Sequence, residues 1–387
     1  MKSPPAGTEP QSRTEELTHR ASHVILVLGG YGFFGERICG VLARNERVHL
    51  IIGGRDGVRA RKAVRALGLP STQGVAIDAS DPALAERLAG LGVRTVIHTA
   101  GPFQGQDYAV ARAAITAGAN YIDLADGRDF VAGIALLDAE ARVAGVFVTS
   151  GASSLPALSS AVVDRYASRF GKLQSVRHGI ASGARAPGIA TMRGVFSYCG
   201  KPFNRLENGH WGPTHGWQDM ICHRFPSPVG RRLLGSCDVP DLILFPARYP
   251  DVQTVTFQAG FASPAGHLFV WAASHLVRFH LMHSLLPLVA PLHRISRWLE
   301  SFVSDKGAMF VSMAGTDTKG QPLDLHWYLI ATRNHGPHIP CGASIALARK
   351  LANGEQLPSG AMPCMGLLSV DEYLNALDGF DVREVPA

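Results

Sequence analysis

From His23 to Ser150 the chain alternates short, β-branched apolar runs with stretches whose apolar residues recur every three or four positions. This is the pattern of strands buried on both faces by intervening helices. The runs HVILVLG from His23, VHLIIG from Val48, GVAID from Gly74, RTVIHTA from Arg94, YIDLA from Tyr121 and VFVTS from Val146 predict six strands. They predict an α/β fold class, a doubly wound parallel sheet of the Rossmann type, over residues 21–155. A helix, LPALSSAVVDRYASRF, extends the rhythm, and then the texture changes. VRHGIASG, DLILFP, VQTVTFQAG and DLHWYLIATR read as strands joined by Gly/Pro-rich loops, which predicts a second, α+β domain over 156–340. Residues 341–387 read as a helical segment: one helix in PCGASIALARKLANG, ended by Gly354, and another from Ser369 to Leu377 opened by a Ser369/Glu372 capping box. Residues 1–20 lack apolar periodicity and read as a disordered tail.

Composition narrows the classes. With 46% hydrophobic and 18% charged residues, the chain has ample apolar surface for a core. The net charge of +6 comes from cations scattered singly, without interleaved aromatics, so nucleic acid is not expected as a partner. The six cysteines form no C-x-x-C pair, and no metal site is expected. A reducing, cytoplasmic setting fits this usage.

The most specific local feature follows the first predicted strand. In VILVLGGYGFFGERICG, Gly30, Gly32 and Gly35 form G-x-G-x-x-G at the head of a helix. Gly30 would permit the tight turn, Gly32 the approach of a pyrophosphate, and Gly35 close packing of helix on strand. Free N–H groups at the helix start would hold the phosphates. The whole turn, with Tyr31, Phe33 and Phe34, is therefore assigned to a dinucleotide. The second strand ends in Gly53, Gly54, Arg55 and Asp56. The glycines leave room for a 2'-phosphate and Arg55 can bind it, which favours NADP, although Asp56 remains available for the ribose hydroxyls of NAD. Arg59 or Arg61, one turn later, offers a second cation for that phosphate, although both read first as a solvated helix face. Asp78 would either reach the adenine amino group or cap the next helix.

Ligands of such sheets sit beyond the carboxyl ends of the strands. There the fourth strand offers Thr99, Ala100, Gly101, Pro102 and Phe103, the last placed to lean on the nicotinamide, while Gln106 and Asp107 read as helix caps. After the fifth strand, Asp123 and Asp126 are carboxylates able to exchange a proton, and Asp126 equally suits a helix cap. Asp126 and Tyr108 are the catalytic candidates. Farther on, His210, His215, Asp219 and His223 lie in a stretch long enough to reach over a cofactor. His215, Asp219 and His223 share a helical spacing, but Gly216 and nearby prolines argue against a helix and a metal site. The longest apolar run, His267 to His293, carries Arg278 near its centre and is interrupted by Pro287 and Pro291. It reads first as a buried or dimer-contact helix, second as an interfacial membrane contact through 268–292, and last as a span.

Taken together, GGYGFFG (Gly29 to Gly35), GGRD (Gly53 to Asp56), TAGPFQGQDYAVARAAITAGANYIDLAD (Thr99 to Asp126) and SGASSLPALSSAVVD (Ser150 to Asp164) resemble the saccharopine dehydrogenase-like family of NADP-binding oxidoreductases. The resemblance implies a homodimer with a C-terminal segment packing back on the nucleotide domain. It also implies hydride transfer to a C=N, C=O or C=C bond of an unidentified small or lipid-like substrate. The alternative is a cofactor-binding protein without strong catalysis, held at membrane or lipid surfaces. No lysine-pathway substrate pattern maps onto the middle of the chain, so saccharopine itself is not the expected substrate.

Overall fold

A computed structural model describes residues 22–183, 188–299 and 303–387; the tail predicted over 1–20 lies outside them. The strands in chain order are β1 (His23–Leu28), β2 (Val48–Gly54), β3 (Gly74–Ala76), β4 (Thr95–His98), β5 (Asn120–Asp123), β6 (Phe147–Ser150), β7 (Phe170–Ala181) and β8 (Pro202–Glu207). They continue with β9 (His210–His215), β10 (Ile221–Phe225), β11 (Gly230–Ser236), β12 (Thr254–Gly260), β13 (Gly307–Asp317), β14 (Pro322–Ala331), β15 (Gly360–Pro363) and β16 (Val382–Val385).

Seven strands form the first sheet in the order β15-β6-β5-β4-β1-β2-β3, every neighbouring pair parallel. The chain runs outward from β1 through β2 to β3, then crosses to β4 on the other side of β1. A crevice opens at that reversal. Both faces are covered: Ile25 and Val27 enter one core cluster, Leu26 and Leu28 the other, and all four are at most 2% exposed. Such alternation between two buried faces produces the continuous apolar run seen in the sequence. The seventh strand, β15, escapes that reading. It is four residues long, contains Pro363, and pairs only at the edge of the sheet, where a proline is tolerated.

The second sheet is mixed, in the order β10-β11-β12-β7-β13-β14-β16, with β12 and β7 parallel and the other pairs antiparallel. Two expectations fail here. DLILFP is a helix, Asp241–Arg248, because Leu242 and Phe245 point inward one turn apart while Ile243 is exposed. Its first residue, Asp241, is buried beside His178 at 3.1 Å and accepts the Ser159 hydroxyl, which anchors the helix. The presumed long loop after Lys201 forms the β8–β9 and β10–β11 hairpins. The tail carries the capping box at Ser369, packs the helix Gly342–Ala352 on the helix Gly35–Leu42, and ends as β16 on β14. The C-terminal segment thus packs back on the nucleotide domain and also extends the second sheet.

The apolar run becomes a helix, Pro264–Arg278, a break at His280, and a second helix, Val289–Leu299. Among the described residues no helix is long and apolar enough to cross a membrane.

Candidate functional site

Beyond the carboxyl ends of β1, β2 and β4 lies a cleft of about 800 Å³. Its floor is the glycine turn. Gly29 holds a left-handed backbone at φ 86°, its carbonyl accepts the Gly32 N–H at 2.8 Å, and the Gly32 carbonyl accepts the Glu36 N–H at 3.0 Å as the helix Gly35–Leu42 begins. A Cβ on Gly35 would overlap the Gly29 carbonyl and sit 2.6 Å from Gly30 Cα. This matches the packing role read for Gly35. Gly30 does not make the tight turn assigned to it: Gly29 does. Gly30 is instead wedged against the Val27 carbonyl, Ile52 and Cys39, where a Cβ would come within 2.9–3.1 Å.

At the β2 end the cleft is lined by Tyr31, Gly54, Arg55, Arg59 and Asp78. The room attributed to the glycines is taken: the Tyr31 ring lies against Gly54, 2.5–2.6 Å from where a Cβ would be, and its hydroxyl accepts the Asp56 N–H at 2.9 Å. Gly53 is packed against Ile77 and Leu26. Arg59 is exposed, as read, and also lines the cleft. Its guanidinium lies 4.6 Å above the Tyr31 ring, which directs it into the cleft beside Arg55. Asp56 caps the helix Gly57–Ala66, its Oδ1 accepting the Val58 and Arg59 N–H groups at 2.9 and 3.0 Å. Asp78 accepts the Ser80 N–H and hydroxyl, which hold its carboxyl below the usual range. It lines the cleft and does not cap the next helix; Asp81 accepts the Ala83 N–H there.

At the β4 end, Thr99, Ala100 and Gly101 line the cleft. The Thr99 hydroxyl donates to the Leu28 carbonyl at 3.0 Å, and the Gln106 amide donates to the Ala100 and Pro102 carbonyls, so the loop is tied on both sides. Asp107 accepts the Ala109 N–H at 3.0 Å just before the helix Ala109–Thr116, whose N-cap is Tyr108. Pro102 and Phe103 do not line the cleft, contrary to expectation. Phe103 is buried against His98 and Phe130, ring centroids 5.1 and 5.3 Å away, because that apolar cluster takes the ring inward.

Both proton-transfer candidates are likewise turned away. The Tyr108 hydroxyl donates to the Phe130 carbonyl at 2.8 Å and its ring packs on Phe130. Asp126 accepts the Gln104 amide at 3.0 Å, facing the helix Ile189–Tyr198 through Gln104 and Gly194; burial raises its pKa. Asp126 does not cap the following helix either, whose N-cap is Gly127 with no side-chain bond. Beneath the cleft runs a buried network that sequence reading only half anticipated. His98 Nδ1 meets the Tyr121 hydroxyl at 3.0 Å, and Asp123 Oδ1 accepts the Ala125 N–H, the Gly151 N–H and the Ser150 hydroxyl, each at 2.9 Å. Burial pushes Asp123 up to about 6 and His98 down to about 4. Asp123 holds the loops after β5 and β6 and does not face the cleft.

A second cavity of about 220 Å³ adjoins the first, sharing Phe33, Phe34 and Thr191. It lies between the glycine turn, Ser154 after β6, and the second domain's Ile180, Ala308, Met309 and Ile339. Among the described residues no Lys, Arg or His lines it; the polar side chains there are Ser154, Ser182, Thr191, Asp305 and Asn334. Only Phe33 and Phe34 had been marked from the sequence. The second-domain candidates lie elsewhere: His210 and His215 bound β9, Asp219 pairs with Arg205, and His223 on β10 stacks on Phe310 at 4.0 Å. Among the described residues no three His, Cys, Asp or Glu side chains are grouped to hold a metal.

Comparison with known proteins places this geometry. Residues 25–164 match the family described as saccharopine dehydrogenase NADP binding domain. Saccharopine dehydrogenase (L-Glu forming) from Saccharomyces cerevisiae superimposes with a TM-score of 0.67 at 14% identity, over 95% of this chain and all of that one, and so shares the fold. An amine dehydrogenase from Mycobacterium smegmatis aligns at 12% identity over 92% of this chain and 96% of its own, with a TM-score of 0.48. No curated protein matches by sequence.

Proposed function

From the match of the nucleotide domain, residues 25–164, to the saccharopine dehydrogenase NADP-binding family, we propose that the chain is an NADPH-dependent reductase of a small or lipid-like C=N, C=O or C=C acceptor. The observation that carries this reading is a pair of adjoining cavities. The cleft runs from Arg55 and Arg59, over the glycine turn, to Thr99–Gly101, and the apolar cavity lies on the other side of Phe33 and Phe34. The turn and the following helix start offer backbone N–H groups to a pyrophosphate. Arg55 and Arg59, both lining the cleft, offer charge-assisted bonds to a 2'-phosphate. When bound, the dinucleotide supplies the hydride.

The chain's own task is to orient the acceptor and exclude water. Phe33 and Phe34 separate cleft from cavity, and Thr191, shared by both, is the hydroxyl at their junction able to bond the acceptor's polar atom.

Arg55→Ala is expected to weaken NADPH binding about tenfold and leave NADH binding unchanged, read by calorimetry. Equal losses for both dinucleotides would remove the 2'-phosphate from the assignment. The reductase reading is tested by NADPH oxidation against apolar aldehydes, ketones, cyclic imines and enones; failure of every class sinks it. Ala308→Phe, which fills the cavity, should raise KM for any accepted compound about tenfold without altering NADPH affinity. An unchanged KM would place the acceptor elsewhere.

A further inference from the structure

The helix Pro264–Arg278 is apolar outward as well as inward. Val270, Ala273 and Val277 are buried with the polar His267 and Ser274, His267 beside Trp217, while Leu268, Phe269 and Leu276 are 44%, 49% and 40% exposed. Phe269, Ala272, Leu276 and Phe279 recur every three or four residues, so an apolar stripe faces outward beside the exposed Arg278. Just beyond the helix, Phe279 and Leu281 are 64% and 72% exposed on either side of His280, whose backbone is left-handed. The next helix, Val289–Leu299, exposes Ile295 and Trp298 at 51% and 76%. Scattered exposed apolar residues are ordinary; this many large ones on consecutive elements call for a partner.

Charge identifies the partner. From Val252 to Leu299 there is no Asp or Glu, while Arg278, Arg294 and Arg297 are exposed among His280, His283 and His293. Two copies placed face to face would oppose these arginines with no carboxylate in the segment to pair them. A surface with negative headgroups over an apolar interior satisfies both features, with Trp298 at the boundary. We propose that the segment 264–298 docks on anionic phospholipid bilayers, inserting Phe279, Leu281 and Trp298 among the acyl chains and setting Arg294 and Arg297 against the phosphates.

The docked surface is joined to the cleft. The helix Val289–Leu299 packs on the helix Ile189–Tyr198, whose first residues, Ile189 to Thr191, line the cleft. The docking itself does not depend on the chain being a reductase.

The full-length protein should co-sediment with vesicles of phosphatidylcholine containing phosphatidylglycerol about tenfold more strongly than with phosphatidylcholine alone, and less so in high salt. Arg294→Gln with Arg297→Gln should abolish the preference for phosphatidylglycerol. Phe279→Asp with Leu281→Asp should abolish binding to both vesicles, at unchanged melting temperature and NADPH affinity. In the native protein, bromine-labelled phosphatidylglycerol should quench tryptophan emission, and Trp298→Phe should reduce that quenching, a readout free of any folding defect in the charged variants. Absence of sedimentation with the anionic vesicles, or equal binding by the Asp variant with its fold intact, overturns the proposal. So does a solution dimer that Leu281→Asp dissociates, which would assign the surface to a second copy.

Discussion

Gly35→Ala is expected to reduce NADPH affinity by about a hundredfold or more while the second domain stays folded. The added methyl has no room: it would overlap the Gly29 carbonyl and press on Gly30 Cα, both rigid backbone. Overpacking of this kind typically costs about 1–3 kcal/mol. Here the strain falls on the turn that presents N–H groups to the pyrophosphate, so relief by moving the helix away from β1 dismantles the binding surface itself. At about 1.4 kcal/mol per factor of ten, loss of two such bonds reaches the expected hundredfold. Gly40→Ala is the matched control. It lies in the same helix with nothing within 4 Å of the new methyl, and should stabilise the protein by about 0.5–1 kcal/mol through helix propensity alone, without touching affinity. Calorimetric titration with NADPH and thermal melting of the two variants separate the cases. Retained affinity in Gly35→Ala would mean that the dinucleotide does not lie over this turn.

The nucleotide domain was legible because its physics is local. Strands buried on both faces must be continuously apolar, and a helix that starts against a strand must have glycine where the two backbones meet. The same locality explains the errors. A position at a strand's carboxyl end says that a residue is near the crevice, not which way its side chain turns, and Phe103, Tyr108 and Asp126 all turn into neighbouring packing. Between Arg59 and Arg61 the sequence does not choose a second cation; the Tyr31 ring, 28 positions upstream and placed by the glycine turn, directs the exposed Arg59 along the cleft. The apolar cavity was out of reach for a stronger reason: Phe33, Ser154, Ile180, Ala308 and Ile339 come together through the packing of two sheets. DLILFP shows the limit in a short run, where six mostly apolar residues suit a strand or a helix and the buried Asp241–His178 contact decides.

Asp123→Asn is expected to be more stable than the native protein at pH 8 by about 3 kcal/mol and equal to it near pH 4. Burial raises the Asp123 pKa from 3.8 to about 6, so the folded state binds the proton more tightly than the unfolded chain does. The resulting stability is fully present below pH 3.8 and is lost as pH rises through 6, an amount of about 3 kcal/mol for a gap of this size. His98 beside it works in the opposite direction. Its pKa is depressed from 6.5 to about 4, so the unfolded chain takes up the proton first and stability is lost as pH falls through that window. The buried His267, also lowered to about 4, adds to the same side. These terms oppose each other between pH 4 and 6.5 in the native protein, which is why its own pH profile is a poor test. The difference between native and Asp123→Asn isolates the carboxyl, because the histidines are common to both. The asparagine carbonyl can still accept from the Ala125 N–H, the Gly151 N–H and the Ser150 hydroxyl, so the loops after β5 and β6 should keep their places. Denaturant unfolding at pH 4, 6 and 8 measures the difference; one that does not grow with pH would mean that Asp123 carries no burial penalty. NADPH affinity should stay constant through the same series, since the carboxyl lies beneath the cleft and not in it.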